Sequence, residues 1–331
     1  MEGQTGGPDV ETNKRMDDAA RAAWLYYIAG QTQDEIAAEL GVSRQSAQRL
    51  VSQAMAAGLV KVRIDHPISN CLSLGKRLRE ALGLAMCEVV PTLPGSDSAL
   101  GLSQALADYL ERVLSGPEPL VIGLGTGRTL RGAVEAMARM DCAQHKIVSM
   151  TGNISPDGST AYYNVLFTMS DKVTAATYPM PMPVIAATAA ERDALLSQKT
   201  VAATRALAAR ADIHILGIGE MGARAPLVLD GFLSAQDLDG VQRQGAVGEI
   251  LGWIFDAEGA LIAGGTNARV TSTPLAGHVD AARADGGRAA MSVAAAKGPN
   301  KVRAILGAVK GGWITGLITD EATAEAVLAV L

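Results

Sequence analysis

Apolar positions in the N-terminal part of the chain recur with a helical period that glycine interrupts three times. From Asp17 the run DDAARAAWLYYIAG places Ala20, Trp24, Leu25 and Ile28 on one helical face, and Gly30 suits the position past the helix end. Thr32 with Glu35 three residues on has capping-box spacing, and Ile36, Ala37 and Leu40 give a second short helix its apolar side before Gly41. Ser43 caps a third helix, RQSAQRLVSQAMAAG. Its Ala47, Leu50, Val51 and Ala54 face inward, while Arg44, Gln45, Gln48, Arg49, Ser52 and Gln53 face out. Gly41 permits the turn, Val42 and Leu50 are expected to plug the small core, and LVKVRI after Gly58 alternates as a strand before Pro67.

Beyond Pro67 the pattern changes to apolar β-like runs alternating with helical ones, the mark of a mainly parallel sheet with helices on its faces. Strands are expected at residues 120–124, 146–151, 173–178, 212–218, 289–295 and 314–318. Helices are expected at 99–114, 129–138, 200–210, 301–309 and 321–330. The segment GAVGEILGWIFDAEGALIAG predicts two strands around a turn at Asp256-Ala257-Glu258-Gly259. A helix over residues 70–82, with Leu72, Leu74, Leu78 and Leu82, either links head to body and pairs subunits or packs on its own body.

A chain of 331 residues suits two domains. The expected division is a disordered tail over 1–14, a helix-turn-helix domain over 15–67 and an effector-binding domain over 68–331. The fold class is α/β: an N-terminal all-α, winged helix-turn-helix head, then a Rossmann-like, mainly parallel sheet. No apolar run is long enough to span a bilayer and the first residues lack a basic start and an apolar stretch, so a cytoplasmic protein without membrane partners is expected. Three cysteines and four histidines lie without ligand spacing, so neither a disulfide framework, a metal nor a cofactor is expected. The formal net charge of −5 conceals an asymmetry, because residues 41–64 carry Arg44, Arg49, Lys61 and Arg63 and no acid.

That local charge gives the third helix a chemistry. Arg reads guanine edges in a bidentate way and Gln reads adenine, so a helix presenting Ser43, Arg44, Gln45, Ser46, Gln48 and Arg49, with Gln33 at the start of the preceding helix, matches a reader of the major groove. One such helix covers few bases, so a homo-oligomer, dimer or tetramer, on symmetric half-sites of operator DNA is expected. The same pattern also describes a small three-helix unit with a solvated polar face.

In the body, Gly123, Gly125 and Gly127 lie between a strand and a helix. There the backbone N–H groups of Gly125, Thr126 and Gly127 can approach an anion beside Arg128, or the glycines simply serve a tight turn. Gly152 and Asn153 end the next strand, where ligands bind in open α/β sheets. Gly217-Ile218-Gly219-Glu220-Met221-Gly222 has dinucleotide-loop spacing, but Pro226 follows and no helix start does, so that reading is set aside; Gly219 and Glu220 remain candidate cavity residues.

Residues 23–67, with YYIAGQTQDEIAAELGVSRQSAQRLV and GLVKVRI, resemble the DNA-binding head of the SorC family of sugar-responsive bacterial regulators. The body resembles the same family through GLGTGRTL, ADIHILGIG, GAVGEILGWIFDAEG and KVRAILGAVKGGWITGLITDEATAEAVL. The resemblance implies a sensor related in fold to sugar-phosphate isomerases. It further implies a phosphorylated sugar or polyol effector controlling transcription of a catabolic operon, Asp256 as the acid that bonds sugar hydroxyls, and Lys301 as the phosphate lysine. Independently, Asn300 can cap a helix at Lys301, bringing an ammonium and a helix N-terminus together. In AAAKGPNK, Lys297 stands where the family pattern has a small glycine, and it either adds a phosphate cation or points outward. The alternative function is a sugar-phosphate isomerase or lyase with an accessory head; no local carboxylate–histidine or nucleophile motif supports it, and the expectation is that the chain is not an enzyme.

Overall fold

The computed structural model describes residues 8–60, 68–93, 99–155, 157–159, 165–223, 225–275 and 290–331. Contacts divide the chain into two units, Met1–His66 and Pro67–Leu331.

The first unit contains α1 (Pro8–Tyr27), α2 (Gln33–Leu40) and α3 (Arg44–Ala56). The Thr32–Glu35 capping box forms as its spacing predicts, and Gly41 ends α2 in the left-handed region at φ 64°. Ser43 accepts the N–H of Ser46 and opens α3. Three expectations fail here. Helix α1 begins at Pro8, inside the stretch read as a disordered tail. Ala20 is exposed, and so are Trp24 and Ile28 at 58% and 70%; the buried face is Ala19, Ala22, Ala23 and Leu25. Alanines on both sides, Ala19, Ala22 and Ala23 against Ala47 and Ala54, let α1 and α3 approach closely, which turns the bulky residues away. Val42 is exposed and does not plug the core, which Ile36, Ala37, Ala47 and Val51 fill instead. The expected strand after Gly58 and the closing Pro67 fall largely outside the described residues.

The second unit opens with α4 (Ser69–Leu82), which buries Cys71, Leu74 and Leu78 in its own unit and leaves Leu72 exposed. There follow β1 (Met86–Val90), α5 (Leu100–Leu114), β2 (Val121–Leu124), α6 (Arg128–Ala136), β3 (Lys146–Ser149), α7 (Val165–Ser170), β4 (Ala176–Tyr178), α8 (Ala189–Leu196), α9 (Lys199–Ala208) and β5 (Ile213–Gly217). Then come β6 (Gly219–Glu220), α10 (Pro226–Leu229), α11 (Ala235–Arg243), β7 (Ala246–Ile250), β8 (Trp253–Asp256) and β9 (Met291–Ala295). A 3-10 turn, Pro299–Lys301, leads into the helix Val302–Lys310, and β10 (Gly316–Asp320) precedes the helix Glu321–Leu328.

Seven strands make one parallel sheet in the order β1-β10-β9-β5-β2-β3-β4. Strand alternation sends neighbouring residues to opposite faces. Ile215, Val293 and Ile318 pack with Leu106, Leu110 and Leu130 of α5 and α6, whereas Leu216, Ala294 and Leu317 pack with α4 and the last two helices. Strands β2, β3 and β4 run outward one way, and β5 returns to the other side of β2, so the order reverses between β2 and β5. The carboxyl ends of those two strands therefore flank a topological switch point, the usual place for a ligand in an open sheet.

The hairpin β7–β8 differs from its expected form. The two strands end at Asp256, and the chain turns between them at Leu251-Gly252, with φ of 56° and 84° and Ile250 opposite Trp253. Positive φ at both central residues is the turn that matches strand twist. The expected turn at Asp256–Gly259 also forms, after β8, closing on the Gly259 N–H to Asp256 carbonyl bond. Antiparallel pairing continues across it through the Asp256 N–H to Ala260 carbonyl, the Ile262 N–H to Ile254 carbonyl and the Phe255–Leu261 bridge, so the expected second strand is present as a single bridge.

Candidate functional site

On the first unit, Arg44, Gln45, Gln48, Arg49 and Ser52 lie exposed along α3, and a shallow groove is lined by Gln45, Ser46, Gln48, Arg49 and Ser52. Ser43 and Ser46 bond each other as part of the cap, at 2.9 Å between hydroxyls, and Gln33 opens α2 half-buried. A feature the sequence reading missed is the exposed ion pair of Arg44 with Asp34 of α2, at 3.4 Å. It supplies the acid that the local count after Gly41 lacked, and it orients the guanidinium across the two helices.

In the second unit one cavity of about 1490 Å³ lies at the switch point. That exceeds the ~300–1,000 Å³ of an ordinary ligand pocket and leaves room for bound water beside a small ligand. Four segments at strand ends contribute to its polar wall: Thr126-Gly127-Arg128 after β2, Thr151-Gly152 after β3, Gly217–Glu220 at the end of β5, and Lys297–Lys301 after β9. Sequence expectation and geometry agree on Thr126, Gly127, Arg128, Gly152, Gly219, Glu220 and Lys301 as lining residues.

Four expected members do other work. Gly123 is buried within β2, and the Gly125 N–H is spent on the Ile215 carbonyl at 2.8 Å, so only the turn from Thr126 onward faces the cavity. Asn153 donates its N–H to the Met182 carbonyl at 3.0 Å and does not line the wall. Asp256 is also absent from the wall: its Oδ1 accepts the N–H groups of Glu258 and Ala260, each at 2.9 Å, and holds the turn after β8.

The acid that does face the cavity from the hairpin is Glu249, on β7. Its Oε2 accepts the Gly252 N–H at 2.8 Å. Burial pushes its carboxyl above the ordinary glutamate range, opposed by that N–H and by Lys301. Burial also holds the Lys301 ammonium below its usual range, opposed chiefly by Glu249. Asp230 is raised by burial and opposed by Arg128. The wall thus sets Arg128 and Lys301 among Glu220, Asp230 and Glu249: cations suited to an anion, carboxylates suited to hydroxyl groups.

Two glycines stand at close approaches, Gly152 against backbone and Gly219 against a side chain. A Cβ on Gly219 would strike the Glu249 side chain, and one on Gly152 would strike the carbonyls of Met182 and Pro183. Glu249 escaped the sequence reading because an acid in a short strand reads as the solvated half of an alternating pattern. The GAVGEILG string, an acid flanked by buried apolar residues, was the available signal.

The rejected dinucleotide motif lacks its context here also, since Gly217 ends β5 and β6 follows at once with no helix between. Among the described residues no helix is long and apolar enough to cross a membrane, and no group of three His, Cys, Asp or Glu is placed to hold a metal.

Residues 66–329 match the family model described as "Putative sugar-binding domain", and residues 22–67 match a MarR family model. The erythritol catabolism regulatory protein EryD of Brucella abortus is 36% identical over 311 residues, covering 94% of this chain and 96% of that one. The transcriptional regulator LsrR of Klebsiella pneumoniae is 30% identical over 94% of this chain and 92% of its own. The full-length sorbitol operon regulator SorC from Klebsiella pneumoniae shares the fold, with a TM-score of 0.69 at 23% identity over 95% of this chain and 99% of that one.

Proposed function

This chain belongs to the SorC family of sugar-binding transcriptional regulators, and we propose that its effector is a phosphorylated sugar or polyol held in the switch-point cavity. It is a transcriptional regulator with a helix-turn-helix DNA-binding part and a sugar-binding part. The observation that carries the phosphate reading is the convergence of Arg128, the turn at Thr126-Gly127 and Lys301 on one wall, with Glu220 and Glu249 beside them. A phosphate is stabilised by such cations and by backbone N–H groups, and carboxylates accept from sugar hydroxyls. Glu249 takes the hydroxyl-binding role that the family resemblance had given to Asp256. The relative in Brucella abortus is named for erythritol catabolism, so a four-carbon polyol phosphate is the first compound to test.

In this reading α3 enters the major groove through Arg44, Gln45, Gln48 and Arg49, with Gln33, Ser43 and Ser46 at its edge. Symmetric half-sites call for at least two copies of the chain, and operator binding places the protein in the cytoplasm. The effector acts by binding two states of the body unequally and so shifting operator affinity.

The test is a thermal-shift panel of erythritol, erythritol 4-phosphate, and pentitol, hexitol and ketose phosphates, since a ligand selective for the folded state raises the melting temperature. A phosphorylated member is expected to raise it, and the rise is expected to vanish in Lys301→Met. A panel with no stabilising phosphate, or an undiminished shift in that variant, refutes the assignment. The enzymatic alternative draws on Glu249, a buried acid beside a lysine, which is how catalytic acids are tuned. Incubation with each stabilising compound is expected to return it unchanged by NMR; a product would replace the sensor reading with a catalytic one.

A further inference from the structure

Arg44 opens α3 at a position where its charge is opposed. The N-terminal end of a helix carries partial positive charge, so its first turn favours acids and a cation there works against the helix. The first turn of α3 has no acid of its own, and none follows through Ile64. The neighbouring helix supplies one instead: Asp34 Oδ2, in the first turn of α2, lies 3.4 Å from Arg44 Nη1.

We propose that Asp34 is a positioning residue for base reading: it holds the Arg44 guanidinium toward a guanine edge and keeps it off the adjacent phosphates, raising sequence selectivity at the expense of affinity for DNA at large. The inference rests on the reading of α3 as the groove helix and adds the means by which its first arginine discriminates. Three observations support it.

The pair is poorly placed to stabilise the fold. Its two side chains are 69% and 67% exposed, and ion pairs so exposed add little to stability. The cap of α2 is built without Asp34: the Thr32 N–H donates to Glu35 Oε2 at 2.7 Å, and Thr32 Oγ1 accepts the Glu35 N–H in return. The remaining acid of α2, Glu39, accepts from Gln31 Nε2 at 2.8 Å. Asp34 is thus the acid of α2 that reaches across to α3.

Its position suits discrimination. In a helix-turn-helix unit the first residues of the second helix meet base edges while the preceding helix crosses the DNA backbone. Arg44 is the first residue of α3 and Asp34 the second of α2, so the pair joins the base-reading end of one helix to the backbone side of the other. Guanine is read by two parallel N–H groups of a guanidinium held in plane, whereas a phosphate accepts the same fork from many directions. A carboxylate at one terminal nitrogen limits the rotation of the guanidinium, and its negative charge repels the phosphates beside it.

The two arginines of α3 also differ in setting. Arg49 lines the shallow groove along the helix with Gln45, Ser46, Gln48 and Ser52; Arg44 lies outside that group, on the side where Asp34 holds it. Arg49 therefore serves as an internal control for the action of Asp34.

The experiment begins with selection of binding sites from a randomised DNA duplex pool by the full wild-type chain and by Arg44→Ala, which identifies the base pair whose guanine preference Arg44 sets. Anisotropy titrations then compare the selected duplex, the same duplex with that guanine replaced by adenine, and a random duplex. Wild type is expected to prefer the guanine by about tenfold or more. Asp34→Asn is expected to lose most of that preference while binding the random duplex several-fold more tightly, with a salt dependence steeper by about one phosphate contact. Added to Arg44→Ala, Asp34→Asn is expected to change the preference no further, whereas its effect and that of Arg49→Ala are expected to add. Asp34→Ser is a second variant with the same expected loss, and thermal melts establish that each protein is folded. A preference kept at the wild-type level in both Asp34 variants overturns the inference and leaves the groove reading in place. Weaker binding of those variants to every duplex, random DNA included, assigns Asp34 to the stability of the helices and overturns it as well. If Arg44→Ala selects the same sequence as wild type, or wild type selects none, the groove reading itself falls and the inference with it.

Discussion

Gly219→Ala separates the stability of the cavity wall from its chemistry. The added Cβ overlaps the Glu249 side chain, whose far end is flexible and borders open cavity, so the strain is relieved by swinging the carboxylate away. Overpacking costs ~1–3 kcal/mol, and relief by a flexible side chain places this substitution at ~1 kcal/mol. For a unit of this size that lowers the melting temperature by roughly 2–4 °C. Ligand affinity suffers more, because a displaced carboxylate loses its bond to the ligand and its N–H partner at Gly252. A charge-assisted hydrogen bond contributes ~1.5–3 kcal/mol, so the dissociation constant is expected to rise by about 10- to 150-fold. Thermal melts and calorimetric titration with the stabilising phosphate measure the two quantities on one preparation. A double-mutant cycle with Glu249→Gln sharpens the result: the two substitutions act on the same group and are expected to be clearly less than additive. Affinity within twofold of wild type, or full additivity, would show that Glu249 does not hold the ligand.

Two further predictions follow from the same geometry. Burial raises the Glu249 carboxyl in the folded body, so the folded state holds a proton that the unfolded chain has released; stability of the unliganded protein is expected to fall as pH rises from the ordinary glutamate range through the raised value, and Glu249→Gln should flatten that slope in denaturant titrations. A slope unchanged in the variant assigns the effect elsewhere. Arg44→Ala and Gln45→Ala are each expected to weaken operator binding by ~1–3 kcal/mol at fixed salt, with discrimination between operator and random sequence reduced in anisotropy titrations; normal discrimination in both removes α3 from the groove.

Helical period and cap chemistry made the first unit legible, since Thr32, Glu35, Gly41 and Ser43 act locally and their partners lie within a turn. What sequence spacing could not supply was which face of α1 is buried. Trp24 and Ile28 are the more apolar choice, yet close approach to α3 favours alanine, and that depends on the partner helix. In the body, the central strands β2, β3 and β5 stand out as apolar runs because both their faces are covered. Strand β1 escaped because, among the described strands, it pairs with β10 alone, and it carries Glu88 and a half-exposed Cys87. Asp256-Ala257-Glu258-Gly259 is the stronger turn signal and does form a turn, but the hairpin closes at Leu251, which adopts the left-handed conformation that side chains seldom accept. Asp256 is expected from resemblance alone; its side chain holds the turn after β8, and the acid facing the cavity from the hairpin is Glu249. Lys301 and Arg128 line the cavity as expected because each lies within a few residues of a strand's carboxyl end, where sequence and sheet geometry coincide.

The seven-stranded order has a bearing on how the protein is made. Strands β1 and β10, the first and last of the ten among the described residues, are neighbours, and β10 fills the gap between β1 and β9. During synthesis β1 emerges early and has no partner until the strand made last arrives, and Lys301 lies only a short way before that strand. Long-range closure of this kind is slow, and it exposes unpaired edges meanwhile. Completion of the sheet and of the cavity wall therefore coincide, so a nascent chain lacks the finished cavity until its last strand is in place.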